Sequence, residues 1–184
     1  MRQEELRADL TSRIADILRR ARTFAADTVE QRSWSPPEGG WSVGQVLEHL
    51  VANTESYLGP VQQLLTRPTR LARSGEVTWK PSIMGNLLVR SLRSSRRLPA
   101  PKIWQPGPAP RPEIVEAFLT AMIRLDGLIA RAGDSRWEEL RLGSPASSLV
   151  RLNLGDVFLT LVVHAERHLG QIDRIRSNPG YPEA

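Results

Sequence analysis

The residues with the clearest potential for chemistry are His49, His164 and His168, the only three histidines in the chain. His164 and His168 stand four residues apart in the segment LVVHAERHLGQI, so a helix would place both imidazoles on one face, one turn apart. His49 lies in a second helical segment, WSVGQVLEHL. Three neutral imidazole nitrogens around a divalent ion, with one coordination position left open, are typical of catalytic rather than structural metal sites. The pattern therefore predicts a metal centre, provided that the three side chains meet.

Four stretches have apolar residues at the three- and four-residue spacing of an amphipathic helix. These predicted helices cover about residues 4–28, 42–65, 112–132 and 153–177. The connection over residues 134–150 is expected to be irregular, and no segment reads convincingly as a strand. The chain, residues 1–184, is therefore predicted to be a single all-α domain built as a four-helix bundle.

Local signals predict where three of these helices begin. Ser42 and Asn153 are expected to be the N-caps of the second and fourth helices, because each precedes an apolar periodic stretch and has a Gln or Asp three residues later. Pro112 suits the first position of the third helix, where a missing backbone N–H costs nothing. A short additional helix is expected over residues 82–92.

The helix starts allow the depth of each histidine in the bundle to be compared. His49 lies seven residues past Ser42, roughly 10 Å from that end of the second helix. If the second and fourth helices were parallel, His164 and His168 would lie at roughly 16 and 22 Å, too deep to share an ion with His49. If they are antiparallel, depth counts back from about Ser177, and His168 and His164 lie at roughly 13 and 19 Å. An antiparallel pair therefore predicts that the three side chains converge.

That arrangement requires the second and third helices to run in the same direction, which demands a long connection between them. Residues 66–111, here called the crossover, are long enough to provide it and predict an up-down-down-up order. Ile103 and Trp104 are expected to pack inward from this segment. Gln171, one turn past His168, could orient a ligand imidazole from outside the coordination shell.

The alternative is that the histidines bind no metal. Most histidine pairs at this spacing are solvated or bonded to a neighbour, and a lone His49 would more often be a satisfied residue at the edge of the core than a metal ligand.

Composition limits the classes of function. The chain has no cysteine, which excludes disulfides, thiolate ligands and a cysteine nucleophile. The charged N-terminal segment MRQEELRADL has no apolar signal core and no stretch is long enough to span a membrane, so a cytoplasmic protein is expected. The crossover is strongly basic, with one acid, Glu76, among ten basic residues: Arg67, Arg70, Arg73, Lys80, Arg90, Arg93, Arg96, Arg97, Lys102 and Arg111. No nucleic-acid-binding motif accompanies this charge, which favours a solvated insertion.

Taken together, WSVGQVLEHL, the long connection and HAERHLGQIDRI resemble the DinB/YfiT-like superfamily over nearly the whole chain. The resemblance implies an up-down-down-up four-helix bundle in which His49, His164 and His168 bind a divalent metal, commonly nickel or zinc. Relatives include S-transferases that use bacillithiol or mycothiol and a maleylpyruvate isomerase that uses a thiol cofactor. In such chemistry a Lewis-acidic ion lowers the pKa of the incoming thiol and presents a thiolate to an electrophile.

Four hypotheses follow. The first is a metal-dependent transferase that joins a low-molecular-weight thiol to a small electrophile, with arginines of the crossover holding carboxylates of the thiol. The second is a metal-dependent hydrolase, although Glu166 lies between the two helical histidines and points away from their face. The third is a non-catalytic, damage-associated binding protein that contacts nucleic acid or a partner, and the fourth is a bundle that has lost its metal. A small-molecule substrate, no membrane or nucleic-acid partner, and a homodimer formed through apolar helix faces are expected.

Overall fold

The structure is a computed structural model that describes residues 1–66, 77–94, 99–133 and 135–183. It is mostly helical, with one small two-stranded sheet. The helices are α1 (Gln3–Arg22), α2 (Val29–Ser33), α3 (Val43–Leu65), α4 (Ile83–Arg93), α5 (Ile114–Arg131) and α6 (Leu154–Arg176). The strands are β1 (Arg141–Ser144) and β2 (Ser147–Asn153). Within these ranges no helix has both the length and the apolar character needed to cross a bilayer.

Capping boxes begin the two helices that carry the histidines. In α3, Ser42 Oγ accepts a hydrogen bond from the Gln45 backbone N–H, and Gln45 Oε1 accepts one from the Ser42 N–H. In α6, Asn153 and Asp156 exchange the same pair of bonds. Both starts lie where the sequence predicts them, because a capping box is encoded within four consecutive residues.

The third long helix starts later than expected. Helix α5 begins at Ile114, so the prediction that Pro112 occupies its first position is wrong. Glu113 has φ −87° and ψ 21°, which places residues 112 and 113 in a turn before the helix. The first helix also ends early, at Arg22, and continues as a 3₁₀ turn over Thr23–Ala26.

The hairpin corrects the all-α prediction and the expectation of an irregular segment over residues 134–150. Strands β1 and β2 pair antiparallel, with Leu142 opposite Leu152 and a register irregularity between Gly143 and Ser144. Both leucines are buried. An isolated hairpin is marginal in water, so this one depends on packing its leucine pair against the helices. Its strands are too short and irregular for their alternation to stand out in the sequence.

Ion pairs between α1 and α6 define the relative direction of these helices. Arg13 binds Glu166, and Arg20, two turns further along α1, binds Asp173, two turns further along α6. Residue numbers increase together along both helices, so α1 and α6 run in the same direction. Helix α5 runs opposite to α1, because Thr11 bonds to Asp126 while the start of α1 bonds to the carbonyl of residue 135, beyond the end of α5.

Only part of the crossover is described by the structure. Arg67, Arg70, Arg73, Glu76, Arg96 and Arg97 lie outside the described residues. Helix α4 packs on α6, where Ser82 caps its start and the Arg167 guanidinium binds the carbonyls of Leu92 and Ser94 at its end. Further on, Trp104 is buried, but Ile103 is 57% exposed, so the prediction that it packs inward is wrong. The two lie in a 3₁₀ turn, Lys102–Trp104, in which adjacent side chains point about 120° apart.

Candidate metal centre

Antiparallel packing of α3 against α6 brings the three histidines together. Trp41, just before α3, lies against His168, whereas Asn53, three turns later, bonds to His164, so the two helices run in opposite directions. His49 Nε2 lies 3.1 Å from His164 Nε2. One ligand nitrogen from each histidine can be chosen so that all three lie within 4.8 Å of one another. The three histidines therefore form a cluster that could hold a metal ion.

The three histidines of the cluster differ in how deeply they are buried. His49 is 2% exposed and belongs to the apolar face of α3, while His164 and His168 are half-buried. The half-buried indole of Trp41 closes one side, with its centroid 4.9 Å from the ring of His49 and 6.4 Å from that of His168. The part of the cluster contributed by α6 is therefore less buried than the part contributed by α3.

Each imidazole donates its Nδ1–H to a different oxygen. His49 donates to the backbone carbonyl of Trp104 at 2.8 Å, and His164 donates to the side-chain oxygen of Asn53 at 3.1 Å. His168 donates to Gln171 Oε1 at 2.8 Å, in the orienting position expected from the sequence. Carbonyl and amide oxygens can only accept, so these contacts require a proton on every Nδ1. All three Nε2 atoms are then left with a free lone pair.

The environment keeps these histidines neutral. Burial lowers the pKa of His164 well below its ordinary value, and the repulsion that protonated His168 and His49 would exert lowers it further. Burial, and then the neighbouring His49, lowers the pKa of His168 to about 4. Burial also lowers the pKa of His49, although the bond to the Trp104 carbonyl opposes this shift. At neutral pH the cluster therefore presents neutral imidazoles, the form that binds metal ions.

The short contact between His49 and His164 shows whether a cation fits the cluster. With protons on both Nδ1 atoms, the two Nε2 atoms at 3.1 Å have no hydrogen between them, and their lone pairs repel. A cation between them would convert this repulsion into attraction. A tetrahedral ion with metal–nitrogen bonds of about 2.0–2.1 Å separates its ligand nitrogens by about 3.3 Å. The spacing of this pair and the all-imidazole donor set therefore fit a divalent ion.

Sequence reasoning missed two of the three orienting groups. Asn53 is 5% exposed and lies four residues after His49, so a polar residue in the apolar face of a helix was the available signal. The Trp104 carbonyl left no signal, because a backbone oxygen is not specified by residue type. Glu166 faces away from the histidines, as its position between them indicated, and binds Arg13 on α1; among the described residues no carboxylate belongs to the cluster.

Comparison with known proteins agrees with this geometry. The family model described as the DinB superfamily matches residues 4–172 of the chain. The matched range contains all three histidines together with Asn53, Trp104 and Gln171. Searches of curated proteins and of solved structures find no match for the chain.

Proposed function

The chain belongs to the DinB superfamily, and we propose that it is a metal-dependent enzyme that transfers a low-molecular-weight thiol to a small electrophile. The observation that carries the proposal is the cluster of His49, His164 and His168, in which every Nδ1 is bonded to an oxygen and every Nε2 is free. These three side chains would hold the ion, nickel or zinc. Three protein ligands leave a coordination position for a reactant, as catalytic sites require.

The chemistry needs a thiol, and this chain supplies none of its own. When bound, the ion would act as a Lewis acid that lowers the pKa of a thiol, so that it reacts as a thiolate. The chain contains no cysteine, which is consistent with a thiol that enters from outside. The protein's part is to hold three neutral ligands in one tautomer and to exclude water on the Trp41 side. The substrate would be a small molecule.

The fold supports the same proposal. Helices α1 and α6 run one way, α5 runs opposite to α1, and α3 runs opposite to α6. We propose that these four helices are the up-down-down-up four-helix bundle of the superfamily, with the hairpin as an addition between the last two. The parallel directions of α3 and α5 account for the long crossover between them.

Thiol transfer is favoured over hydrolysis. A hydrolase would use a carboxylate near the ion as general base, and the described part of the cluster contains histidines alone. Glu166, the acid between the two histidines of α6, is held by Arg13 of α1 at 2.7 Å. The damage-associated binding hypothesis depends on the basic crossover, much of whose charge lies outside the described residues.

The first experiment is elemental analysis of protein purified without a histidine tag. We expect bound nickel or zinc in the wild type and none in His49→Ala, whereas Gln62→Ala, an exposed change in the same helix, keeps the metal. Metal-loaded protein is then incubated with bacillithiol, mycothiol or simpler thiols and a chromogenic electrophile. Conjugation that the His49→Ala variant loses would support the transferase. Equal turnover by both proteins would contradict it, and metal-dependent cleavage of ester or amide panels would favour the hydrolase.

A further inference from the structure

Ser56, two helical turns beyond His49 in α3, makes two hydrogen bonds that link α3 to the crossover. Its Oγ–H donates to the backbone carbonyl of Asn53 at 2.6 Å. The same oxygen accepts the indole Nε1–H of Trp104 at 3.1 Å. A hydroxyl has one donor and two acceptor sites, so both bonds can form at once. Ser56 is half-buried and does not itself touch a histidine in the contacts that the structure describes.

These bonds connect Ser56 to two of the three histidines by separate routes. Through Trp104 it reaches His49, whose Nδ1–H donates to the Trp104 carbonyl. Through Asn53 it reaches His164, whose Nδ1–H donates to the Asn53 side chain. The two histidines meet again at their Nε2 atoms, 3.1 Å apart. Ser56 therefore closes a ring of contacts that includes the metal-facing atoms.

The Trp104 carbonyl is the group in this ring that is not held within a long helix. Asn53 lies within α3 and its backbone is held by the helix, but Trp104 lies in a three-residue 3₁₀ turn within the crossover. The direction of its carbonyl is set by that turn and by whatever anchors the indole. Ser56 provides the anchor, because it accepts the only N–H of the indole.

We propose that Ser56 is a positioning residue of the metal centre: it anchors the Trp104 indole and so directs the carbonyl that holds His49 in its Nδ1–H tautomer. The inference rests on the proposed function, in which the histidines bind a metal. Outer groups that orient metal ligands are worth about 10- to 100-fold in metal affinity. Since Ser56 acts through one intermediate residue, the lower end, about 10-fold, is expected.

The competing explanation is purely structural. Serine and threonine hydroxyls commonly bond to a carbonyl three residues earlier, as Thr66 and Ser94 do in this protein. Ser94 is a matched control, since it is also half-buried and bonds to the carbonyl of Ser91 at 2.7 Å, but no indole donates to it in the described structure. If Ser56 has only this role, Ser56→Ala and Ser94→Ala should behave alike.

The test uses zinc affinity, measured by competition with a chromogenic chelator, for the full chain. We expect Ser56→Ala and Trp104→Phe each to bind zinc about 10-fold more weakly, and the double variant to be no weaker than either, since both changes break one bond. Ser94→Ala should bind as the wild type does. Unchanged affinity in Ser56→Ala, additive losses in the double variant, or an equal loss in Ser94→Ala would overturn the proposal.

A second readout separates this inference from the proposed function. The ¹⁵N shifts of the His49 ring report which nitrogen carries the proton, and they are measured on folded, metal-free protein. We expect the Nδ1–H form in the wild type and in Ser94→Ala, and a mixture of tautomers in Ser56→Ala. If the wild type binds no metal, the metalloenzyme proposal fails while this result still decides the role of Ser56. A wild-type tautomer in Ser56→Ala would refute it.

Discussion

Replacing Asn53 with leucine tests whether the groups around the histidines are arranged for metal binding or only for folding. Asn53 is 5% exposed, and its side-chain oxygen accepts the Nδ1–H of His164 at 3.1 Å. Leucine has the same number and branching of side-chain heavy atoms but no acceptor, so the His164 proton loses its partner. The proton can then move to Nε2, where the free Nε2 of His49, 3.1 Å away, accepts it. This alternative hydrogen bond should limit the loss of stability in metal-free protein to about 1 kcal/mol.

Asn53→Leu should weaken metal binding far more than it lowers the stability of the metal-free protein. His164 would have to give up its Nε2 proton before it could act as a ligand, and loss of an orienting partner lowers metal affinity by about 10- to 100-fold. At a metal concentration of 100 times the wild-type Kd, the ion stabilises the wild type by about 2.7 kcal/mol. A 100-fold weaker variant would gain only about 0.4 kcal/mol under the same conditions. For a chain of this size, the difference corresponds to about 5–9 °C in the metal-induced rise of Tm.

The assay is thermal unfolding with and without zinc, together with a competition titration for zinc affinity. The wild type and Asn53→Leu should melt at similar temperatures without metal and separate as zinc is added. If the variant kept the full zinc-induced rise in Tm, Asn53 would not orient His164 for metal binding. A large loss of stability without zinc, with unchanged zinc affinity, would mean that Asn53 serves the fold alone.

Three further predictions follow from the same structure. Burial lowers the pKa of His168 in the folded protein to about 4, so the unfolded chain binds more protons than the folded one below pH 6.5. The free energy of unfolding of metal-free protein, measured with urea, should therefore fall by about 2 kcal/mol between pH 7 and pH 5 because of this residue. The fall should be smaller in His168→Gln. Asn153→Ala should lower the free energy of unfolding by more than the roughly 1 kcal/mol expected for Ser42→Ala, because the Asn153 side-chain oxygen also accepts the indole N–H of Trp79. Chemical denaturation of both variants should show that order. Glu166→Gln should leave metal content and turnover unchanged and lower the free energy of unfolding by about 1 kcal/mol, because in the described structure Glu166 pairs with Arg13 in a half-buried contact between α1 and α6. A large loss of turnover would instead indicate that Glu166 takes part in the reaction.

Part of this architecture can be read from short stretches of sequence. Helix periodicity and capping boxes are encoded within a few residues, so local sequence alone predicts the starts of α3 and α6 at Ser42 and Asn153. The spacing of His164 and His168 places them on one face of a helix for the same reason. The convergence of His49 with them follows from counting turns along two opposed helices, and the structure places the three together.

Other features exist only once distant segments pack. The hairpin of β1 and β2 needs Leu142 and Leu152 to find an apolar surface, and its short, irregular strands carry too little pattern to reveal it. The orientation of His49 depends on a backbone carbonyl at Trp104, 55 residues away, in a three-residue 3₁₀ turn of the crossover. Every residue has such a carbonyl, so residue type alone cannot say which one a ligand will meet. The amino-acid sequence thus determined the histidines and their helical spacing, whereas tertiary packing decided which oxygens hold His49 and His164 and which nitrogen faces the centre of the cluster.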